Sequence, residues 1–248
     1  MPLTLIRFRP LALVLAVLPL AACMAPVAAP VVPQPAMVRP TASAPLPPET
    51  AAENFVRVVA RMEPQVEAEC RARAQGRNCD YQIVIDDRPG QSPNAFQTLG
   101  PGGQPIIGFN LALIAEARNP DELAFVMAHE AAHHIAAHIP RKQQSALAGA
   151  LILGTLAAAG GADAATVRNA QDIGATVGAG ARSKDYELEA DRLGTILTWN
   201  AGYDPLLGAG FFTRLPDPGR SMLGSHPANA LRMDVVRQTV ADLRAGRV

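Results

Sequence analysis

The pentapeptide His-Glu-Ala-Ala-His at positions 129–133 constrains this chain more than any other part of its sequence. On a helix, residues four apart share one face, so the imidazoles of His129 and His133 can bind one Zn²⁺. Glu130 lies beside them, where its carboxylate can take a proton from water that the metal activates. The pattern predicts a helix with a zinc-dependent hydrolytic site; the alternative is a helix whose histidines only pack or face solvent.

The residues before this pattern indicate a helix. Asn119 can act as the N-cap, Pro120 suits the first helical position, and Glu122 suits a capping box. Apolar residues then recur at helical spacing: Leu123, Val126, Met127 and Ile135. Neither Gly nor Pro interrupts the run before Pro140, so we expect the helix to continue up to that proline.

A catalytic zinc site has three protein ligands, and the segment 183–191 offers the third. Glu187 and Asp191 share a helix face, so Glu187 can bind zinc while Asp191 accepts the free ring N–H of a ligand histidine. Gly194 follows on the same side and would let this helix approach the first one closely. The alternative is that Glu187, Glu189 and Asp191 form a solvated acidic face.

The order of these and other motifs resembles the zinc endopeptidase family of HtpX, the CAAX prenyl proteases and the soluble periplasmic BepA-like and LoiP-like lipoproteins. The similarity covers about residues 51–240. Besides the zinc motifs, it rests on Asn94-Ala95-Phe96, the segment 102–107, Ser183-Lys184, the run 201–205, Ser225-His226-Pro227 and Arg232. Lys184 departs from the arginine expected there, which leaves the metal site intact but can change how its helix is held.

The resemblance implies a fold and a set of site residues. The implied fold is α+β and mostly α-helical: a single gluzincin-type metalloprotease domain with a small β-hairpin or sheet edging the active-site cleft. The implied zinc ligands, for one Zn²⁺ per chain, are His129, His133 and Glu187. The other implied roles are general base for Glu130, support of a ligand for Asp191, and substrate binding for Asn94, Ala95 and Phe96.

His226 lies in a short loop beside Pro227. In the resembling proteins this loop comes near the active site, where a histidine can assist catalysis by hydrogen-bonding the oxyanion or can occupy the fourth zinc position. The second case would make the loop a plug; the alternative is a surface histidine beside a turn proline. Arg232 could orient this loop, bind an acidic partner or be solvated. The spacings of His134 and His138 favour structural roles.

The first residues indicate export. Two arginines precede an apolar run at 11–20, and the following Leu-Ala-Ala-Cys, which ends at Cys23, resembles a bacterial lipobox. We therefore expect residues 1–22 to be a lipoprotein signal peptide and Cys23 to carry a lipid anchor. Met24, in place of an aspartate, favours the periplasmic face of the outer membrane. The alternative is an ordinary cleaved signal in which Cys23 has no role.

The remaining chain divides into a tether and a domain. Residues 23–50 are rich in Pro and Ala and predict a semi-extended tether without a helix. Residues 51–248 are enough for one zinc metallopeptidase domain. Cys70 and Cys79 are the only other cysteines, and an oxidising compartment favours a disulfide between them. Zinc binding by this pair is disfavoured because two cysteines make no closed metal shell.

Secondary-structure patterns place a sheet near the site. Apolar residues at helical spacing predict a helix from about Ala51 to Ala74, and Tyr81 to Ile85 alternates as a half-buried strand. Residues 94–108 contain two β-compatible pieces joined by a Gly-rich turn. An exposed edge strand there would bind extended substrate through backbone hydrogen bonds. The alternative is that this hairpin only covers the core.

Residues 145–162 are apolar and rich in small side chains. Their length is borderline for a bilayer span of about 20 residues. We expect a helix packed within the domain or a mobile lid over the cleft, with a membrane-spanning helix as the alternative. Residues 164–182 are also rich in Ala and Gly and predict a flexible connection.

Composition limits the possible partners. With 22 basic and 22 acidic residues and few aromatics, the sequence gives no indication of nucleic-acid binding, and it has no nucleotide-binding motif. The resulting hypothesis is a zinc endopeptidase acting on unfolded or misassembled cell-envelope polypeptides, held to the membrane by its N-terminal lipid. The alternative is a chaperone-like periplasmic binding module with latent proteolysis.

Overall fold

The computed structural model describes residues 45–214 and 228–248, which form a mostly helical α+β fold with one small sheet. The helices are α1 (Pro48–Arg73), α2 (Leu111–Glu116), α3 (Pro120–Ile135), α4 (His138–Ala159), α5 (Ala164–Gly180), α6 (Ser183–Asn200), α7 (Pro205–Ala209) and α8 (Asn229–Arg244). Short 3₁₀ helices cover Pro101–Gly103 and Gly210–Arg214. This architecture confirms the predicted fold class.

α1 begins before the predicted end of the tether. Its first residue is Pro48, so the expectation that residues 23–50 contain no helix is wrong for the last three. Pro48 is accommodated because an N–H in the first turn has no helical partner to lose. The buried face of α1 carries Phe55, Val58 and Met62, as the apolar spacing predicted.

The sheet has three strands: β1 (Gln82–Asp86), β2 (Ala95–Leu99) and β3 (Pro105–Asn110). β3 is central, paired in parallel with β1 and antiparallel with β2. The predicted hairpin is therefore present as β2 and β3, and β2 is an edge strand of this sheet. β1 is also at an edge and starts at Gln82, one residue later than predicted. Tyr81, just before it, is buried in the core, and its hydroxyl donates to the carbonyl oxygen of Ala131.

α3 is the central helix of the core. Nearly all of its residues from Glu122 to Ala132 are buried, and it packs against α1, α6, α7 and the sheet. Among the largest fully buried side chains are Phe109, Phe125, Met62, Leu123, Met127 and Leu197. A side chain on α3 is consequently held by close packing on several sides.

A disulfide joins the end of α1 to the segment before β1. It links Cys70 to Cys79 with their Cα atoms 5.7 Å apart, within the usual range for such a bond. Both cysteines are buried in the core. The arrangement leaves neither thiol available as a metal ligand.

α3 ends sooner than the sequence predicted. The expectation of a helix running on to Pro140 is wrong, because Ala137 adopts a left-handed conformation with φ of 58° and separates α3 from α4. Pro140 instead lies in the first turn of α4, where its missing N–H costs no helical hydrogen bond. The break redirects the chain between His133 and His138, two residues whose side chains meet.

α4 and α5 form an antiparallel helical hairpin. Their backbones meet at glycines: a Cβ atom on Gly149 would overlap the carbonyl of Gly174, and one on Gly178 would overlap that of Ser145. The prediction that residues 164–182 form a flexible connection is wrong, since α5 is a regular helix whose N-cap Asp163 accepts a hydrogen bond from the N–H of Thr166. No helix in the described ranges is long and apolar enough to cross a bilayer.

Candidate metal centre

The two histidines of the pentapeptide project from the same face of α3. Asn119 caps this helix by accepting the Glu122 N–H at 2.9 Å, and Glu122 accepts the Arg118 N–H at 2.9 Å, which fixes the first turn. The Nε2 atoms of His129 and His133 lie 3.1 Å apart. Both rings therefore point at one position, as the four-residue spacing predicted.

The segment 183–191 belongs to α6, which crosses close to α3. Gly194 permits this approach, since a Cβ there would lie 3.1 Å from the Cα and N atoms of His129. Asp191 has a fully buried side chain and the Glu187 side chain is only 13% exposed. These two residues therefore form no solvated acidic face, whereas Glu189 is 47% exposed.

His129, His133 and Glu187 form a donor set with the dimensions of a zinc site. Glu187 oxygens lie 3.4 Å from Nε2 of His129 and 3.6 Å from Nε2 of His133. A tetrahedral zinc with bonds of about 2.0–2.1 Å holds its ligand atoms roughly 3.3 Å apart. One ligand atom from each residue lies within 4.8 Å of the others, so the described residues present two imidazoles and one carboxylate that fit a single ion.

Asp191 and Arg232 fix the orientation of His129. Nδ1 of His129 lies 3.0 Å from Asp191, and Arg232, on α8, donates to both oxygens of the same carboxylate at 2.6 and 2.8 Å. The guanidinium also stacks on Phe212, with Cζ 3.4 Å from the ring centroid. The acidic partner of Arg232 is thus internal, and the interpretations of Arg232 as a solvated side chain or as a site for an external partner are wrong.

The buried residues of the site influence one another's ionisation. Burial opposes protonation of His129, but hydrogen bonds to Asp191 and Glu187 outweigh it and raise the pKa of His129 to about 9. Burial and the adjacent His129 charge lower the pKa of His133 to about 3. Although burial opposes its ionisation, Asp191 has a lowered pKa because Arg232 and His129 hydrogen-bond its carboxylate. The two adjacent histidines thus differ in the ease with which they are protonated.

His138 contacts the second histidine of the pair. Its Nδ1 lies 2.8 Å from Nδ1 of His133, and its Nε2 lies 3.2 Å from Glu189. Arg141 donates to the same Glu189 oxygen at 2.9 Å, and the His138 ring stacks on Tyr186. His138 is only 4% exposed. The sequence interpretation assigned it no contact with the site because five-residue spacing does not bring side chains together on an unbroken helix.

His134 differs from its neighbours. Its Nε2 lies 2.7 Å from the carbonyl oxygen of Asn78, and its ring packs edge-on against Tyr81. Burial lowers the pKa of His134, with the carbonyl contact opposing the shift. The ring faces away from the donor set, in agreement with the structural role expected for it.

A cleft with a volume of about 330 Å³ opens over the donor set. Glu130 lines it together with both histidines, and so does the predicted segment Asn94, Ala95 and Phe96, at the start of the edge strand β2. The ring of Phe96 lies over Gly108 of β3. The structure thus brings the predicted substrate-binding segment and the three-residue donor set to the same cleft.

Two predicted positions lie outside the described residues. His226 falls in the segment 215–227 and Cys23 in the segment 1–44, so their proposed roles stay predictions. The description resumes at Ala228, and Arg232, four residues further on in α8, contacts Asp191 directly.

Comparison with known proteins agrees with this site. A model described as Peptidase family M48 matches residues 56–240. A putative beta-barrel assembly-enhancing protease from Vibrio cholerae serotype O1 is 34% identical over 161 residues, which are 58% of this chain and 31% of the relative. The chain therefore spans less than a third of the length of that relative. Because the family model covers most of the chain, including the whole donor set, the chain belongs to peptidase family M48, a family of metallopeptidases.

Proposed function

We propose that the protein is a zinc endopeptidase. The observation that carries this proposal is the convergence of His129, His133 and Glu187 at separations of 3.1–3.6 Å, with Glu130 in the same cleft. Zinc at this position supplies Lewis acidity, which lowers the pKa of water to about 7. Three ligands from the protein leave a position open for chemistry, whereas structural zinc sites are closed by four.

The residues around this position have separate tasks. Glu130 acts as general base and then returns the proton to the leaving amine. Asp191, itself held by Arg232, keeps Nδ1 of His129 protonated so that Nε2 faces the ion. The edge strand β2 binds an extended stretch of substrate through its backbone, which tolerates many side chains. His226 would serve as an oxyanion donor or as a displaceable fourth ligand.

The proposed substrates are unfolded or misassembled cell-envelope polypeptides. Family membership and the name of the Vibrio cholerae relative support this choice, together with the exported, lipid-anchored character predicted from Cys23. An extended chain fits an edge strand, whereas a folded protein has its own backbone groups paired. The proposed location is the periplasmic face of the bacterial outer membrane.

Removal of zinc tests the proposal. We expect about one zinc per chain by elemental analysis, casein cleavage that falls by at least roughly a hundredfold after chelation, and recovery when zinc is restored. His129→Ala should lose the metal, while His134→Gln, which changes the adjacent histidine outside the donor set, should retain it. A chelated protein that still cleaves casein at the original rate would rule out metal catalysis.

His138 provides a second test, through metal affinity. For His133 to present Nε2 to zinc, its Nδ1–H must donate to an acceptor, and Nδ1 of His138 is in place for this. We expect His138→Ala to weaken zinc binding about 10- to 100-fold in competition with a chromophoric chelator, with His138→Asn restoring part of the affinity. Tyr186→Leu removes the stacked ring without touching His133 and is the packing control. Unchanged zinc affinity in His138→Ala would show that His133 does not depend on this contact.

A further inference from the structure

The α4–α5 hairpin exposes an unusual amount of apolar surface. Six of its large aliphatic side chains are each 58–63% exposed: Leu147, Leu151, Ile152, Leu156, Ile173 and Val177. Soluble proteins rarely leave clustered aliphatic surface uncovered unless something binds to it. The exposed apolar surface therefore indicates that the hairpin binds another molecule or segment.

Part of this surface is a groove. It runs along one side of the seam between the helices and has a volume of about 390 Å³. The backbones of α4 and α5 meet at Gly149 and Gly174, which line the groove without side chains. Ile152 and Val177 line it as well. The lining is overwhelmingly apolar, with Ser145 and Arg182 as its polar members. Such a trough can accept aliphatic or aromatic side chains.

The groove continues the metal-site cleft. His138, Lys142, Ser145, Gly149 and Ile152 follow one another on α4 at spacings of four, three, four and three, so they form one stripe along the helix. The first two line the cleft, and the last three line the groove. The groove and the cleft also adjoin where α6 begins, because Arg182 lines the groove and the next residue, Ser183, lines the cleft.

The stripe from His138 to Ile152 is as long as a short segment of extended polypeptide. At 1.5 Å per residue, α4 rises roughly 20 Å from His138 to Ile152. A strand at about 3.3 Å per residue covers this distance with about six residues. A polypeptide lying in the cleft therefore reaches the groove within one short segment, without leaving the protein surface.

We infer that the groove binds an apolar segment of the substrate polypeptide, about six residues from the bond that is cleaved. This inference rests on the proposed peptidase function and specifies its substrate class: chains that expose hydrophobic segments, as unfolded proteins do. Continuity with the cleft favours a substrate chain over a lipid surface.

Two matched double variants of the full chain test the groove. Ile152→Gln with Val177→Gln changes two exposed residues of the groove, and Leu147→Gln with Ile173→Gln changes two equally exposed residues outside it. We expect the groove variant to raise the KM for unfolded casein about tenfold with kcat unchanged. The reason is that the groove is remote from the reacting bond and stabilises the bound substrate and the transition state equally. The control variant should stay within about twofold. A hexapeptide centred on a mapped casein cleavage site is too short to reach a groove about six residues from the cleaved bond, and both variants should cleave it like wild type.

Binding separates failure of the groove from failure of the peptidase proposal. In a Glu130→Gln background, anisotropy of labelled unfolded casein should show weaker binding for the groove variant alone, whether or not the parent protein cleaves. Equal losses in both variants, or none in either, would overturn the inference. It would also be overturned if the groove changes abolished flotation with phosphatidylethanolamine–phosphatidylglycerol vesicles, or dissociated a dimer seen by sedimentation, while casein binding stayed the same.

Discussion

Glu130→Gln should lower the kcat for casein cleavage by about 10²- to 10⁴-fold while leaving one zinc bound per chain. Glutamine has nearly the same shape as glutamate but cannot accept a proton, and Glu130 is not a member of the His129, His133 and Glu187 donor set. The loss should therefore appear in kcat, with zinc content and the free energy of unfolding close to those of the wild type. Single-turnover kinetics and elemental analysis on the same preparation measure the two quantities.

The same variant separates the peptidase from a chaperone-like module. If binding of unfolded chains is the main activity, Glu130→Gln should suppress aggregation of a denatured client protein as well as the wild type does. If cleavage is the main activity, protection by the wild type should depend mainly on turnover and be much weaker in the variant. Glu53→Gln, at an exposed position of α1, controls for the loss of one negative charge. Full cleavage by Glu130→Gln would exclude this residue as the general base.

The predictable part of the site is the part that local periodicity encodes. His129 and His133 converge because a helix places residues four apart on one face, and the same rule pairs Glu187 with Asp191 on α6. Gly194, which lies against the backbone of His129, indicated that the two helices cross closely. The position of β2 also followed from sequence, since two alternating segments around a glycine-rich turn form a hairpin.

The unpredicted part depends on backbone geometry or on distant residues. Contact between His133 and His138 requires the left-handed Ala137, and nothing in an alanine-rich stretch signals that break. Arg232 lies 41 residues from Asp191 on another helix, so no local pattern pairs them. Apart from the family resemblance, which includes Arg232, nothing in the sequence distinguishes this arginine from the solvated arginines of the same helix. α5 was missed because glycines that loosen an isolated helix here permit close packing against α4.

Arg232→Met should be the most destabilising single substitution near the site, by about 3–5 kcal/mol. The Asp191 carboxylate has no exposure, and Arg232 is 5% exposed, so loss of the guanidinium leaves a negative charge buried against His129 alone. Urea unfolding of the metal-free protein measures this cost without the contribution of zinc binding. The matched control is Arg237→Met on the same helix, whose pair with Asp234 is exposed and should contribute less than about 1 kcal/mol.

A double substitution tests whether the cost arises from the Asp191 charge that Arg232 no longer pairs. Asp191→Leu combined with Arg232→Met removes both charges, and we expect it to recover a large part of the stability lost in Arg232→Met. Zinc affinity should not recover, because His129 then lacks the carboxylate that holds its Nδ1–H. Stability and metal affinity thus depend on the pair in different ways: folding needs the two charges to balance, whereas the metal centre needs the carboxylate itself. If zinc affinity recovered along with stability, Asp191 would have no role in orienting His129.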